Sequence, residues 1–140
     1  MDGVRLAIIL GVIVVVVFLF AWRMGRERSG FESVITKFME AGAARNMGAA
    51  YDCWSPHSAS EEDIVGFIEN SYDVFAGYER LTISDQGTRF GVGGITEGDV
   101  NGDIIYSGDQ RLQLGARLVK EKDVWKIIGI RIGSTSLFFN

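Results

Sequence analysis

The chain has 140 residues and a formal net charge of −4, and its charges divide unevenly between two regions. Residues 1–30 hold four arginines against two acids, whereas residues 31–140 hold ten basic residues against sixteen acidic ones. An acidic globular region lacks the basic surface that nucleic acid requires, so the composition argues against a nucleic-acid partner. Cys53 is the only cysteine, which excludes an internal disulfide and a cysteine-rich zinc site.

The first element is an uncharged run from Leu6 to Trp22, LAIILGVIVVVVFLFAW. A helix of that length extends about 26 Å, close to the ~30 Å of a bilayer core, so we predict a single transmembrane helix over residues 6–22. A cleaved signal peptide fits less well, because the run is long and no small-residue cleavage site follows it. We assign residues 1–28 to this anchor, and the residues expected at the membrane interfaces are Arg5, Trp22, Arg23, Arg26 and Arg28.

The flanks of this segment predict its topology and a contact surface. Three arginines follow the apolar run and one precedes it, and the positive-inside rule then favours a cytoplasmic domain. Gly3, Ala7 and Gly11 lie four residues apart and would form a ridge along which another membrane helix could approach closely. The alternative is chance spacing, because glycine and alanine are common in membrane helices.

Three helices are predicted after the anchor. Ser29 and Glu32 have capping-box spacing and open the first, which carries an apolar stripe and ends near Asn46. A second helix is expected over residues 47–54, and a third begins after Ser60 and ends near Gly77.

From that point the apolar period changes to two, which predicts strands. The first follows residue 80, the glycine-rich residues 89–96 suggest a bent or bulged strand, and Asn101-Gly102 predicts a two-residue hairpin turn. Residues 112–118 alternate, and a charged turn at 121–123 leads into a last strand over 124–132. Helices first and an antiparallel sheet afterwards predict an α+β domain, with about three helices packed on one face of a curved sheet.

Three segments resemble small bacterial domains of the nuclear transport factor 2-like group, within the cystatin-like folds. They are FESVITKFMEAGAARNMGAAYDCWSP, EEDIVGFIENSYDVF and the closing pair RLQLGARLVKEKDVWKIIGIRI. The resemblance covers the domain that we assign to residues 29–133, and it implies a cone-shaped α+β fold. Members of that group include enzymes, ligand-binding pockets and scaffolds, so the fold leaves the function open.

The stretch YDCWSPH at residues 51–57 is the part of the domain whose residue types most resemble those of a catalytic site. Enzymes of the resembling group place tyrosine, aspartate or histidine inside the cone, and the residues that could act in that way here are Tyr51, Asp52, His57, Tyr72 and Asp103. The competing interpretation, which we favour, is a helix end with core residues and an exposed histidine loop. No metal site or cofactor is predicted, because Cys53 and His57 are too few ligands and because the spacing around Asp99 lacks the glycine and glutamate of a calcium loop.

The C-terminal segment, residues 134–140, ends in three large apolar residues, Leu137, Phe138 and Phe139. They could extend the last strand into the core or dock on another protein. Without a catalytic set, the sequence favours a non-catalytic accessory or assembly subunit of a larger membrane complex, such as a respiratory or photosynthetic one. Its expected partners are integral membrane subunits and the lipid bilayer. Two alternatives are a membrane-anchored ligand-binding module or enzyme using Tyr51, Tyr72 and Asp103, and a self-associating membrane scaffold.

Overall fold

A computed structural model describes residues 30–139 of the chain. The predicted membrane helix, its ridge and its interfacial residues lie outside that range, as does the capping residue Ser29. Within the described range no helix has the length and apolar character needed to cross a bilayer.

The described domain is α+β, with three helices followed by a five-stranded antiparallel sheet, as the sequence predicts. The helices are α1 (Gly30–Ala43), α2 (Met47–Asp52) and α3 (Glu61–Asn70). The strands are β1 (Tyr78–Phe90), β2 (Thr96–Tyr106), β3 (Arg111–Glu121), β4 (Val124–Ile132) and β5 (Thr135–Leu137), and each pairs with the next in sequence.

Side-chain caps set the starts of the two later helices. Asn46 accepts a hydrogen bond from the Ala49 amide, 3.3 Å away, and so begins α2. Ser60 and Asp63 form a reciprocal capping box before α3, with N–O distances of 3.0 and 3.2 Å. The third helix ends at Asn70 rather than near Gly77, because a short 3-10 turn, Tyr72–Val74, replaces its last predicted turns.

The core lies between the helices and one face of the sheet. Alternate residues of the strands point to that face, among them Ile104 of β2 and Leu114 of β3, both buried. Gly42 belongs to the same packing, because a Cβ there would stand 2.7 Å from Cε1 of the Phe75 ring. A larger residue at this position could not be accommodated without moving that ring.

Two strand predictions are wrong. Asn101 and Gly102 lie in the middle of β2 and do not form a hairpin. Opposite them, β1 carries an extra residue, Ser84, whose Oγ donates to the Asn101 carbonyl oxygen at 3.1 Å. The glycine is needed there because the bulged strand approaches so closely that a Cβ would stand 3.0 Å from the Thr82 carbonyl carbon.

The turn that joins β1 to β2 lies instead in the glycine-rich segment at residues 91–95, which was predicted to be a strand. Gly93 and Gly94 adopt φ values of +81° and +78°, which glycine reaches without a steric penalty. The charged turn between β3 and β4 is confirmed, with Lys122 and Asp123 both at positive φ.

Candidate functional site

Two hairpin turns and the start of α1 lie at the same end of the sheet. Glu97 of β2 pairs with Val119 of β3, which pairs with Lys126 of β4, so the β1–β2 and β3–β4 turns project in one direction. Phe31, in the first turn of α1, lies above this end of the sheet, with its ring centroid 4.5 Å from that of Trp125. We call this the α1 end of the domain, because α1 begins there.

Exposed apolar side chains are concentrated at the α1 end of the domain. The described residues include four exposed large apolar side chains, and three of them, Phe90, Ile95 and Val124, border the two turns. Their exposed fractions are 86%, 51% and 49%. Single exposed apolar residues are common, but a cluster of them marks a contact surface. We refer to these three residues as the rim.

Beside the rim an open groove of about 710 Å³ separates the end of α2 from the β3–β4 hairpin. A parallel bridge between Trp54 and Ile127 fixes its two walls relative to each other. The backbone hydrogen bonds are Ser55 N to Ile127 O at 2.9 Å and Ile127 N to Cys53 O at 2.8 Å. The lining residues are Tyr51, Asp52, Trp54, Pro56, His57, Glu121, Lys122, Val124 and Lys126.

Polar contacts near the groove join its two walls. The buried Ser55 hydroxyl donates to Oε1 of Glu121 at 2.5 Å, and the Lys126 ammonium donates to the Asp52 carbonyl oxygen. The Trp54 side chain is buried, with 2% of the residue exposed. Its indole Nε1 has no hydrogen-bond partner within the described residues. An unpaired buried donor of this kind is uncommon in proteins.

The cysteine next to this groove, Cys53, is expected to be unreactive. Burial raises the pKa of the Cys53 thiol to about 11, and its sulfur donates to the Ala49 carbonyl oxygen at 3.4 Å. A thiol with that pKa is almost entirely protonated at neutral pH and is a poor nucleophile or metal ligand. Across residues 30–139, no three histidine, cysteine, aspartate or glutamate side chains are close enough to hold a metal ion.

Aromatic rings fill the layer between helices and sheet. Phe38 of α1 contacts Trp54 and Phe75 edge-on, with centroid separations of 5.7 and 5.4 Å, and Phe67 contacts Phe75 at 5.8 Å. Of these four rings, those of Phe38, Trp54 and Phe75 are at most 2% exposed. Side chains therefore fill the space between helices and sheet in this region.

The three residues predicted as cavity candidates occupy separate places. Tyr51 lines the groove, but Tyr72 and Asp103 do not. The Tyr72 hydroxyl donates to the Ala43 carbonyl oxygen at 2.8 Å, and the Arg45 guanidinium lies 4.1 Å from the centre of its ring. Asp103 precedes the core residue Ile104 on β2, so it belongs to the opposite face of the sheet.

The groove combines residues that sequence reasoning considered with others that it missed. Asp52 and His57, which were weighed beside Tyr51, line the same wall. The sequence predicts only a turn and a strand for the other wall, which is formed by Glu121, Lys122, Val124 and Lys126. They lie about seventy residues further along the chain, and the bridge between Trp54 and Ile127 brings them here together with the polar contacts described above.

The sheet face away from the helices, which we call the outer face, carries a row of charges. Arg89 lies 3.1 Å from Asp99 and 3.6 Å from Glu97, and Arg117 lies 3.9 Å from Asp99. Asp99, Asn101 and Asp103 alternate along β2 and therefore share this face. A strand spreads these residues along an extended line, which gives a further reason to reject a calcium loop.

The C-terminal segment folds back on this outer face. Leu137 of β5 pairs with Ile130 of β4. The Phe139 ring lies between the guanidinium groups of Arg117 and Arg131, at 5.3 and 4.9 Å from its centre. Phe138 remains 52% exposed, at φ +54°.

Two glycines leave room for this segment on the outer face. A Cβ at Gly115 would stand 3.0 Å from Cζ of Phe139, and one at Gly129 would stand 3.1 Å from the Phe138 carbonyl carbon. Of the three apolar tail residues, Leu137 pairs with β4 as part of the sheet, and the Phe139 ring packs on the outer face between the two arginines. Phe138 is left available for contact.

The sequence was compared with models of protein families and with curated proteins, and neither comparison found a match.

Proposed function

We propose that this chain is a non-catalytic accessory or assembly subunit of a larger membrane protein complex. The helix at residues 6–22 would anchor it, with Arg5, Trp22, Arg23, Arg26 and Arg28 at the interfaces and the domain on the cytoplasmic side. The ridge of Gly3, Ala7 and Gly11 would pack against a neighbouring membrane helix. We also propose that the domain belongs to the nuclear transport factor 2-like group, which the order of helices before the sheet supports.

The observation that carries this proposal is the filled interior of the domain. The rings of Phe38, Trp54 and Phe75 occupy the layer where an enzyme or carrier with this architecture would hold a ligand. Tyr51, Tyr72 and Asp103 do not converge on one pocket, and the buried thiol is protonated at neutral pH. A domain built in this way is suited to presenting surfaces to other proteins.

The tail provides a surface of that kind. Leu137 and Phe139 are held by the sheet and by two arginines, so the position of Phe138 is fixed although its ring is half exposed. A phenylalanine at positive φ costs about 1 kcal/mol or more, and such strain is concentrated at functional positions. This supports Phe138 as a partner contact. Leu137 and Phe139, on either side of it in the chain, fix its position.

Purification of the tagged full-length chain from its native membrane in a gentle detergent tests the proposal. We expect mass spectrometry to find one membrane complex recovered in stoichiometric amounts. Gly11→Leu should reduce that recovery by placing a bulky side chain on the ridge, whereas Val16→Leu, on the opposite face of the predicted helix, serves as a matched control. Recovery of the chain alone, or only with copies of itself, would contradict the proposal.

The second candidate function is small-ligand binding in the groove. Its volume of about 710 Å³ lies within the range of ligand pockets, and Trp54, whose buried Nε1 has no hydrogen-bond partner within the described residues, is one of the lining residues. Native mass spectrometry of the detergent-purified chain would detect a retained small molecule. Loss of that molecule on Tyr51→Ala, with retention on Tyr72→Phe outside the groove, would favour this function over the first.

A further inference from the structure

We propose that the rim, formed by Phe90, Ile95 and Val124, contacts the lipid bilayer and holds the domain upright on the membrane surface. This inference rests on the proposed membrane anchor. It adds a second attachment to the anchor and defines which end of the domain faces the lipid.

The first step of the argument is the clustering of exposed apolar groups. Phe90 ends β1, Ile95 directly precedes β2 and Val124 begins β4. Three inter-strand spacings of about 4.8 Å separate β1 from β4, so the rim spans roughly 14 Å. Turn residues are usually polar, and a phenylalanine that is 86% exposed at a turn buries little apolar surface within the fold.

The second step is the length of chain between the anchor and the domain. Seven residues, 23–29, separate the predicted membrane helix from α1, and they reach at most about 25 Å when fully extended. The start of α1 must therefore lie near the bilayer if the anchor spans it. Phe31 lies over Gly98, because a Cβ there would stand 2.5 Å from Cζ of its ring.

The third step connects α1 to the rim. Gly98 is three residues from Ile95 along β2, which corresponds to about 10 Å. If the anchor spans the bilayer, the linker therefore keeps the end of the domain that carries the rim within about 25 Å of the membrane. A protein docking on the rim would have to fit into the narrow space that remains there.

The charges near the rim are compatible with an anionic lipid surface. Around Val124, the hairpin carries Lys120, Lys122 and Lys126 against Glu121 and Asp123, a net charge of +1. The carboxylate of Glu121 is engaged by the Ser55 hydroxyl. At the other turn, Arg89 is already paired with Asp99 and Glu97. Lysines that flank an apolar contact add attraction to anionic headgroups.

Site-specific fluorescence on the full-length chain tests the contact. The variants Phe90→Cys and Val124→Cys would be labelled with a thiol-reactive nitrobenzoxadiazole dye. Ser107→Cys serves as the matched control, because it lies on the exposed turn after β2, at the opposite end of the sheet. Cys53 is buried and should remain unlabelled, which the parent chain verifies.

The labelled chains would be reconstituted into vesicles of phosphatidylcholine and phosphatidylglycerol. We expect a blue shift of the emission from positions 90 and 124, and loss of that emission when the lipids carry brominated acyl chains. The label at position 107 should show neither effect.

Three other results would overturn the proposal, and they are distinguishable. If the chain floats with the vesicles but the labels at 90 and 124 behave like the one at 107, the rim does not contact lipid, although the anchor remains. If the chain does not float at all, the membrane anchor itself is wrong and the rim proposal falls with it. A response that requires added membrane proteins would show that a protein occupies the rim.

Discussion

Gly102 of β2 lies directly against the backbone of Thr82 in β1, where a Cβ would overlap the Thr82 carbonyl oxygen and stand 3.0 Å from its carbon. Neither atom can move aside without shifting the strand, because both belong to the backbone of a paired ladder. The close approach follows from the bulge at Ser84, which adds a residue to β1 opposite this glycine.

Gly102→Ala should therefore destabilise the domain by about 2 kcal/mol or more, which is the range of overpacked buried positions. Urea unfolding of the detergent-solubilised full-length chain measures this change. Gly87→Ala is the control, since no atom lies within 4 Å of the Cβ that it adds in the same pair of strands. We expect the control to change the free energy of unfolding by less than about 0.5 kcal/mol. Equal effects at both positions would contradict the close approach.

The same glycine explains where sequence reasoning failed. Asn-Gly is a strong hairpin signal because both residues tolerate positive φ. At 101–102, however, the pair lies within β2, opposite the bulge in β1. The identity of the residue opposite Gly102 depends on strand register, and local sequence does not contain that information. The true turn at 91–95 has the glycines of a turn, yet glycine is also frequent in bulged strands.

Other parts of the fold could be predicted because local signals and burial agree there. The capping residue Ser60, the alternation from Leu112 to Leu118 and the charged turn at 121–123 all correspond to elements of the structure. The sequence draws attention to only one wall of the groove, Tyr51 to His57, and even there it favours a helix end followed by an exposed histidine loop. Its other wall comes from the β3–β4 hairpin, and no short-range pattern indicates which hairpin meets the end of α2.

Alkaline pH should weaken the fold through Cys53. Burial raises the pKa of this thiol from 9.0 to about 11, so the folded chain holds the proton more tightly than the unfolded chain does. The resulting stabilisation is complete below pH 9 and is lost as the pH rises through about 11. A shift of this size corresponds to roughly 3 kcal/mol.

Urea unfolding across that pH interval measures the loss, and Cys53→Ala provides the comparison. The alanine variant should be less stable at neutral pH because it leaves a small cavity, but its stability should fall less steeply above pH 9. Parallel curves for the two proteins would show that the thiol is not responsible.

Phe139 should contribute to stability through its position between two arginines. Phe139→Ala removes a ring that lies 4.9 Å from the Arg131 guanidinium and 5.3 Å from that of Arg117. Each such contact is worth about 0.5–1 kcal/mol, so we expect a loss of roughly 1–2 kcal/mol in the free energy of unfolding. A double-mutant cycle with Arg131→Ala measures the shared part, and a coupling energy near zero would refute the contact.

Phe138 should behave in the opposite way. Phe138→Gly relieves the positive φ of +54°, so the isolated chain should keep or gain stability, by up to about 1 kcal/mol. The same change removes a half-exposed ring that we assign to partner contact, so recovery of the partner should fall. Thermal unfolding and quantitative co-purification of the same variant measure the two effects. Lower stability with unchanged recovery would assign Phe138 to the fold instead.

The most direct test of the subunit proposal is the size of the particle that contains the chain in its native membrane. Native gel electrophoresis after gentle solubilisation, with an antibody against this chain, measures that size. We predict a single band far larger than the 15.4 kDa chain, and Phe138→Gly should shift part of the signal from this band to the free chain. Migration of all the wild-type signal at the size of the chain alone, or of its own multiples, would contradict the account.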